Sequence, residues 1–179
     1  TNRAYRGLMR RAGSQYQRGH LHVVCRPQGM NVAVQRDYAW LDHLCAHHRP
    51  EVVILGPLYK AFTGTEREGK QSEEAAERCA LAFDRLRVRH GFALLLEAHS
   101  PHDGRDNYRP IGSTLWLRWP EFGIGLKPEG RGEVVKLVHW RGARDRSRYW
   151  PETLTAGGRH NWPWEPPAQP APERNGLPW

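Results

Sequence analysis

The stretch EVVILGP, residues 51–57, decides the fold, together with its later counterpart GFALLLEAH, residues 91–99. Val52, Val53, Ile54 and Leu55 form a continuous apolar run with no polar alternation. Such a run reads as a strand buried on both faces, the pattern of a parallel sheet. Gly56-Pro57 breaks it. Residues 93–96 (ALLL) repeat the pattern and lead into Glu97-Ala98-His99. Between the two runs, the spacing predicts a helix over 72–90, with Ala76, Cys79, Ala80, Phe83, Leu86 and Val88 on or near its buried face. Ser72 suits its N-cap, Glu73 and Glu74 suit the positive end of its dipole, and Gly91 suits its C′ position.

Moving outward, residues 34–48 carry Ala39, Trp40, Leu41, Leu44 and Cys45 at helical spacing, with Pro50 as the stop. Residues 21–25 (LHVVC), bounded by Pro27 and Gly29, read as another strand. Residues 3–18 read as a basic helix with Tyr5, Leu8, Met9 and Tyr16 as apolar positions and Gly19 as its stop. The order α-β-α-β-α-β predicts an α/β fold, a mostly parallel sheet flanked by helices and joined by right-handed crossovers. Ligands in such sheets bind beyond the carboxyl ends of the strands. Those ends are Cys25-Arg26, Leu55-Gly56-Pro57 and Glu97-Ala98-His99.

The second half changes character. Residues 100–110 read as a polar loop and 113–119 as a short apolar turn or helix. Residues 122–126 and 133–139, joined by KPEGRG, read as an antiparallel hairpin. Residues 163–178 are rich in Pro and read as an extended tail. The expected organisation is a core over 1–148 and a Pro/Trp-rich, poorly structured C-terminal tail over 149–179.

Composition narrows the partners. Among 179 residues there are 27 Lys+Arg against 19 Asp+Glu, a net charge of +8. That excess favours a polyanionic partner. The three cysteines include no C-x-x-C pair, which excludes zinc ribbons and thioredoxin-like sites and fits a reducing, cytoplasmic setting. No apolar run approaches the ~18–20 residues of a membrane span, and no signal peptide leads the chain.

Four groups of residues invite chemistry. Residues 64–71 (GTEREGKQ) have the spacing of a P-loop, but the preceding strand ends at Leu55, Gln71 stands where Ser or Thr should bind magnesium, and Glu66 and Glu68 would repel phosphate. The loop reads as a solvated connection with chance spacing. His99, His102 and Asp103 could hold a metal, as in a nuclease, or simply form a polar loop. Glu97 and His99 end a buried strand, where a carboxylate and an imidazole can act as general base or phosphate sensor. Arg141, Arg144, Arg146 and Arg148 lie among Trp140, Tyr149 and Trp150, a mixture suited to single-stranded nucleic acid. The same cluster can equally be basic surface with aromatic anchors.

In order and spacing, RPEVVILGPLYK (49–60), the long helix, GFALLLEAHSPH (91–102) and RPIGSTLWLRWPEFGIGL (109–126) resemble the RecA-like P-loop ATPases. The nearest resemblance is to the RepA/DnaB-like, AAA-type helicase group of actinobacterial phages. It covers most of residues 1–150 and leaves the tail aside. It implies that residues 51–55 are the Walker B strand, with Gly56 standing where a magnesium-orienting Asp is expected. It further implies nucleotide contacts at Gly56, Pro57 and Lys127, with Glu97 and His99 in water activation or γ-phosphate sensing. Arg118 takes the place of an arginine finger that acts on a neighbouring subunit. Arg141, Arg144 and Arg146 would contact nucleic acid.

The family's phosphate-binding segment is not recognisable in this chain, and Thr1 rather than Met stands first. The expectation is a C-terminal portion of a longer ATPase, binding ATP weakly or not at all by itself and leaving a sheet surface prone to self-association. The complete protein is expected to use ATP and Mg²⁺, to form a homo-oligomeric ring and to act on DNA, single-stranded by preference, as a helicase-like motor in phage or plasmid replication. The alternatives are a non-catalytic DNA-binding or assembly subunit with a degenerate RecA core, and a metal-dependent nuclease.

Overall fold

The computed structural model describes residues 13, 19–61, 73–100, 110, 112–142, 151–156 and 164–166. Helix α1 is Gln35–His48, and helix α2 is Glu73–His90. Strands β1 (Val52–Leu55) and β2 (Ala93–Leu96) pair in parallel, with Val52 opposite Ala93 and Leu55 opposite Leu96. A single 3-10 turn, Leu58–Lys60, follows β1, and a short helix α3 spans Leu115–Arg118. A second sheet holds β3 (Gly123–Glu129), β4 (Val134–Arg141), β5 (Thr153–Ala156) and β6 (Trp164–Glu165), antiparallel throughout and in that order.

The helices lie within one residue of their predicted bounds because their ends are chemically marked. Pro50 stops α1 after Arg49, which takes a left-handed φ of 46° and donates its N–H to the Cys45 carbonyl. Gly91, at φ 73°, closes α2 by donating to the Arg87 carbonyl. Ala76, Cys79, Ala80, Phe83 and Leu86 bury one side of α2 against Leu41 and Cys45 of α1, Phe92 and Trp116. At the far end, Asp42 of α1 accepts from both Arg89 (3.0 Å) and His90 (2.7 Å).

Four expectations meet the structure here, and the first two need correction. The run 21–25 forms no strand. His22 stacks on His48 at 3.8 Å, and Arg26 lies over Trp40 and bonds Asp37. The segment therefore runs antiparallel to α1, in contact with helix side chains rather than with a sheet edge, and Leu21, Val23 and Val24 stay exposed. Second, β1 and β2 are not buried on both faces. Val53, Leu55, Leu94 and Leu96 pack on the helix core, while Val52, Ile54 and Leu95 face outward, Ile54 at 73% exposure. Third, the parallel sheet among the described residues has two strands, which does not amount to a RecA-like sheet. Fourth, in the C-terminal region residues 153–156 and 164–165 form β5 and β6, which extend the hairpin into a four-stranded sheet. Apart from Gly13, the basic helix over 3–18 lies outside the described residues, as do the 64–71 loop and residues 101–109.

The hairpin itself follows prediction, with Gly130 and Gly132 at positive φ in its turn. Trp140 lies across Gly123, where any β-carbon would collide with the indole. No described helix is long and apolar enough to cross a membrane.

Candidate active site at the strand ends

Parallel pairing in register carries Leu55 and Leu96 to the same edge, so Gly56 and Glu97 emerge side by side. The backbone of Glu97 is fixed from both directions. Its N–H donates to the Leu55 carbonyl at 3.0 Å, and its carbonyl accepts from Leu58 N–H at 2.7 Å. The Glu97 side chain then crosses Gly56. A β-carbon added at 56 would lie 2.6 Å from Glu97 Oε2 and 2.7 Å from Glu97 Cβ. Glycine is required here by close approach, not by a turn, since its φ needs no left-handed conformation.

His99 stands two residues on, with Nε2 3.6 Å from Glu97 Oε1. Both side chains are more than half exposed, 56% and 57%, so water reaches both. The Tyr59 ring meets the His99 ring edge-on at 5.5 Å. The Gly56–Pro57 peptide is cis and leads into the 3-10 turn that presents Tyr59 and Lys60. Lys60 donates to the Pro27 carbonyl at 2.7 Å, and Met30 and Val32 N–H groups donate to the Lys60 and Ala61 carbonyls. The loop before α1 is thereby tied to the same edge. Tyr59 and Lys60 were missed in the sequence. Their one available signal was position, immediately after the Gly-Pro break.

The loop is held by Asp37, which is 4% exposed. Its Oδ2 accepts from Asn31 N–H at 2.7 Å, and its Oδ1 faces Arg26 and Arg36. The Asn31 amide, with the two guanidiniums, holds its carboxyl below the usual carboxylate range, against the opposing effect of burial.

The structure thus brings together Gly56, Pro57, Glu97 and His99. It does not join the other candidates to them. Arg118, on α3, donates to Thr114 Oγ1 at 2.9 Å and is exposed. Thr114 in turn is held by Glu73, which accepts from Thr114 N–H at 2.9 Å, Thr114 Oγ1 at 2.8 Å and Ser113 Oγ at 2.5 Å. Lys127 sits on β3 opposite Lys136 of β4. Arg141 donates to the Leu117 carbonyl at 3.1 Å, bracing β4 against α3. Arg144, Arg146, His102 and Asp103 lie outside the described residues. Among the described residues, no group of three or more His, Cys, Asp or Glu could hold a metal ion by itself.

A parallel strand pair backed by helices, with a carboxylate and an imidazole at its carboxyl edge, defines the class: an α/β domain, of the kind in which ligands bind beyond the strand ends. A family model described as AAA domain matches residues 3–105, more than half of the chain, and the chain belongs to that family. Comparison with curated proteins gives no match, and comparison with solved structures gives none.

Proposed function

We propose that the chain is part of a DNA-dependent ATPase motor, helicase-like in action, with Glu97 and His99 at its hydrolytic edge. One observation carries this reading: an exposed carboxylate and imidazole 3.6 Å apart at the carboxyl edge of the parallel strands of an AAA domain. Membership of the AAA family points to ATPase-like chemistry, and the +8 charge suits a DNA partner.

The donor set fits a nucleotide-bound Mg²⁺ in a limited sense. Mg²⁺ commonly takes one or two carboxylates, with phosphate oxygens and water completing its octahedron. Glu97 offers one exposed carboxylate, and Gly56 offers none. When bound, the ion would supply charge neutralisation for the transferred phosphoryl group. The chain's own residues would do the rest. Glu97 accepts a proton from the attacking water or orients it. His99, next to Glu97, donates to a phosphate oxygen. Arg118, exposed on α3, reaches a neighbouring subunit of a homo-oligomeric ring.

DNA-stimulated ATP hydrolysis by the complete protein tests this. Glu97→Gln and His99→Ala should each lower kcat by ~10²–10⁴-fold, the range for a positioned acid or base. Activity that survives His99→Ala and Arg118→Ala sinks the assignment. A second reading is favoured by Gly56, which leaves β1 without a carboxylate of its own: a DNA-binding or assembly subunit that no longer hydrolyses ATP. It predicts salt-dependent binding of single strands with no effect of ATP.

A further inference from the structure

A cleft of about 310 Å³ opens between the start of α1 and the middle of α2, and neither Glu97 nor His99 lines it. Its floor is apolar, formed by Val32 (0% exposed) and Ala82 (7%). Tyr38 of α1 and Leu81 of α2 line its sides, with Leu81 49% exposed. Arg78 and Arg85 also line it. They are seven residues apart on one helix, about 10.5 Å along its axis.

The two guanidiniums differ in commitment. Arg78 has one acidic neighbour, Glu74, at 3.7 Å, and both side chains are more than half exposed. Such a pair is worth little in water and yields readily to a phosphate. Arg85 has no ion pair or hydrogen bond among the described residues. Val32 and Ala82 belong to the core, the partly buried Tyr38 packs on it, and the two arginines flank them in solvent.

We propose that this cleft is a contact site for single-stranded DNA, with one base over Tyr38 and the apolar floor and the flanking phosphates on Arg78 and Arg85. Two cations two turns apart suit a ligand with several anionic groups along its length, not a single anion. An aromatic and apolar wall between them suits a base, because every base has a face that stacks. This site rests on the DNA partner proposed above, but not on hydrolysis. It assigns that partner to the helix layer rather than to the arginines around Trp140.

Fluorescence anisotropy with labelled oligothymidine and the full 179-residue chain, without nucleotide or metal, tests the site. The double variant Arg78→Gln/Arg85→Gln should bind at least ~10-fold more weakly at moderate salt. The slope of log K against log salt should become shallower by about 1.4, because each lost phosphate contact on a single strand accounts for ~0.7. Tyr38→Leu should weaken binding by roughly 5- to 100-fold with the slope unchanged, the signature of lost stacking. Arg131→Gln/Lys136→Gln removes the same charge from the hairpin and should change binding less. Equal losses in the two double variants would show that net charge alone sets affinity, and would overturn the cleft. Thermal unfolding of each variant separates lost contacts from lost fold, and both arginines are exposed enough to spare it. A wild-type chain that binds no oligothymidine at low salt removes the DNA partner itself. Binding that persists unchanged in Arg78→Gln/Arg85→Gln removes only this site. Competition by thymidine monophosphate at equal nucleotide concentration would make it a mononucleotide site and overturn the strand.

Discussion

Cys79 has no exposed surface, and burial among apolar side chains pushes its thiol up to about 12. Cys45 is shifted in the same direction, by burial first and by the Asp42 carboxylate second. Cys25 is exposed. The thiolate is the reactive form, so both buried thiols are inert near neutral pH twice over, by access and by protonation. Titration of the native chain with an aromatic disulfide reagent should therefore register one fast thiol, Cys25, and two more only in denaturant. Three fast thiols in the native state would mean that the α1–α2 layer opens on the timescale of labelling. At the Glu97–His99 edge the same scale governs what could be read in advance. Glu97, His99, Gly56 and Pro57 were legible because a strand's carboxyl end is marked by the residue that breaks it. The passage of the Glu97 side chain over Gly56 was not legible, since it depends on the register between two strands forty residues apart.

At the scale of elements, α3 is too short to hold itself and is docked by Glu73 at the first turn of α2. Three donors from Ser113 and Thr114 converge on that carboxylate. The Ser113 hydroxyl, then the Thr114 hydroxyl and amide, hold its carboxyl below the ordinary value of 4.5. A carboxyl depressed in the folded state stabilises above its unfolded pKa, and that contribution is lost as pH falls through the folded value. The docking of α3 should thus be intact at neutral pH and be lost only in acid, as pH falls below the ordinary carboxyl value and through the lower folded one. Glu73→Gln should flatten that acid limb, and Trp119 fluorescence is a direct reporter because its indole bonds Asp84 on α2 at 2.9 Å. An unchanged acid limb in Glu73→Gln would show that other carboxylates, Asp37 first, carry it. Helices α1 and α2 could be bounded from sequence because Pro50 and Gly91 are local stop signals. Residues 21–25 misled for the opposite reason. An apolar branched run specifies an extended backbone, but whether it joins a sheet depends on a free edge within reach, and here Arg26 and His22 bind the segment to α1 instead. The strands β5 and β6 escaped notice because residues 153–156 (TLTA) and 164–165 (WE) are too short to show any period.

For the molecule as a whole, stability and solubility are governed by opposite faces of the β1–β2 pair. The inner face joins the single described core, in which Phe83 and Leu86 are fully buried. Phe83→Ala should cost about 3–5 kcal/mol in chemical unfolding, the range for deleting a buried aromatic. The outer face carries Val52, Ile54 and Leu95 into solvent. Ile54→Lys should change stability by under ~0.5 kcal/mol, as exposed substitutions do, and should raise the concentration at which light scattering detects aggregates. A large loss of stability in Ile54→Lys would mean that this face is covered in solution. The antiparallel sheet adds Val135 as its one buried hydrophobic side chain. It is joined to the helical part through the Arg141–Leu117 contact described above.

The crossing of Glu97 over Gly56 also sets the order in which the two positions can change. An aspartate at 56 and a glutamate at 97 cannot coexist in this backbone, because the clash includes Glu97 Cβ and no rotamer relieves it. Placing a side chain at 56 requires residue 97 to give up its β-carbon first, as in Glu97→Gly, and that intermediate has no carboxylate at either position. A carboxylate at 97 and a side chain at 56 thus exclude one another in this backbone.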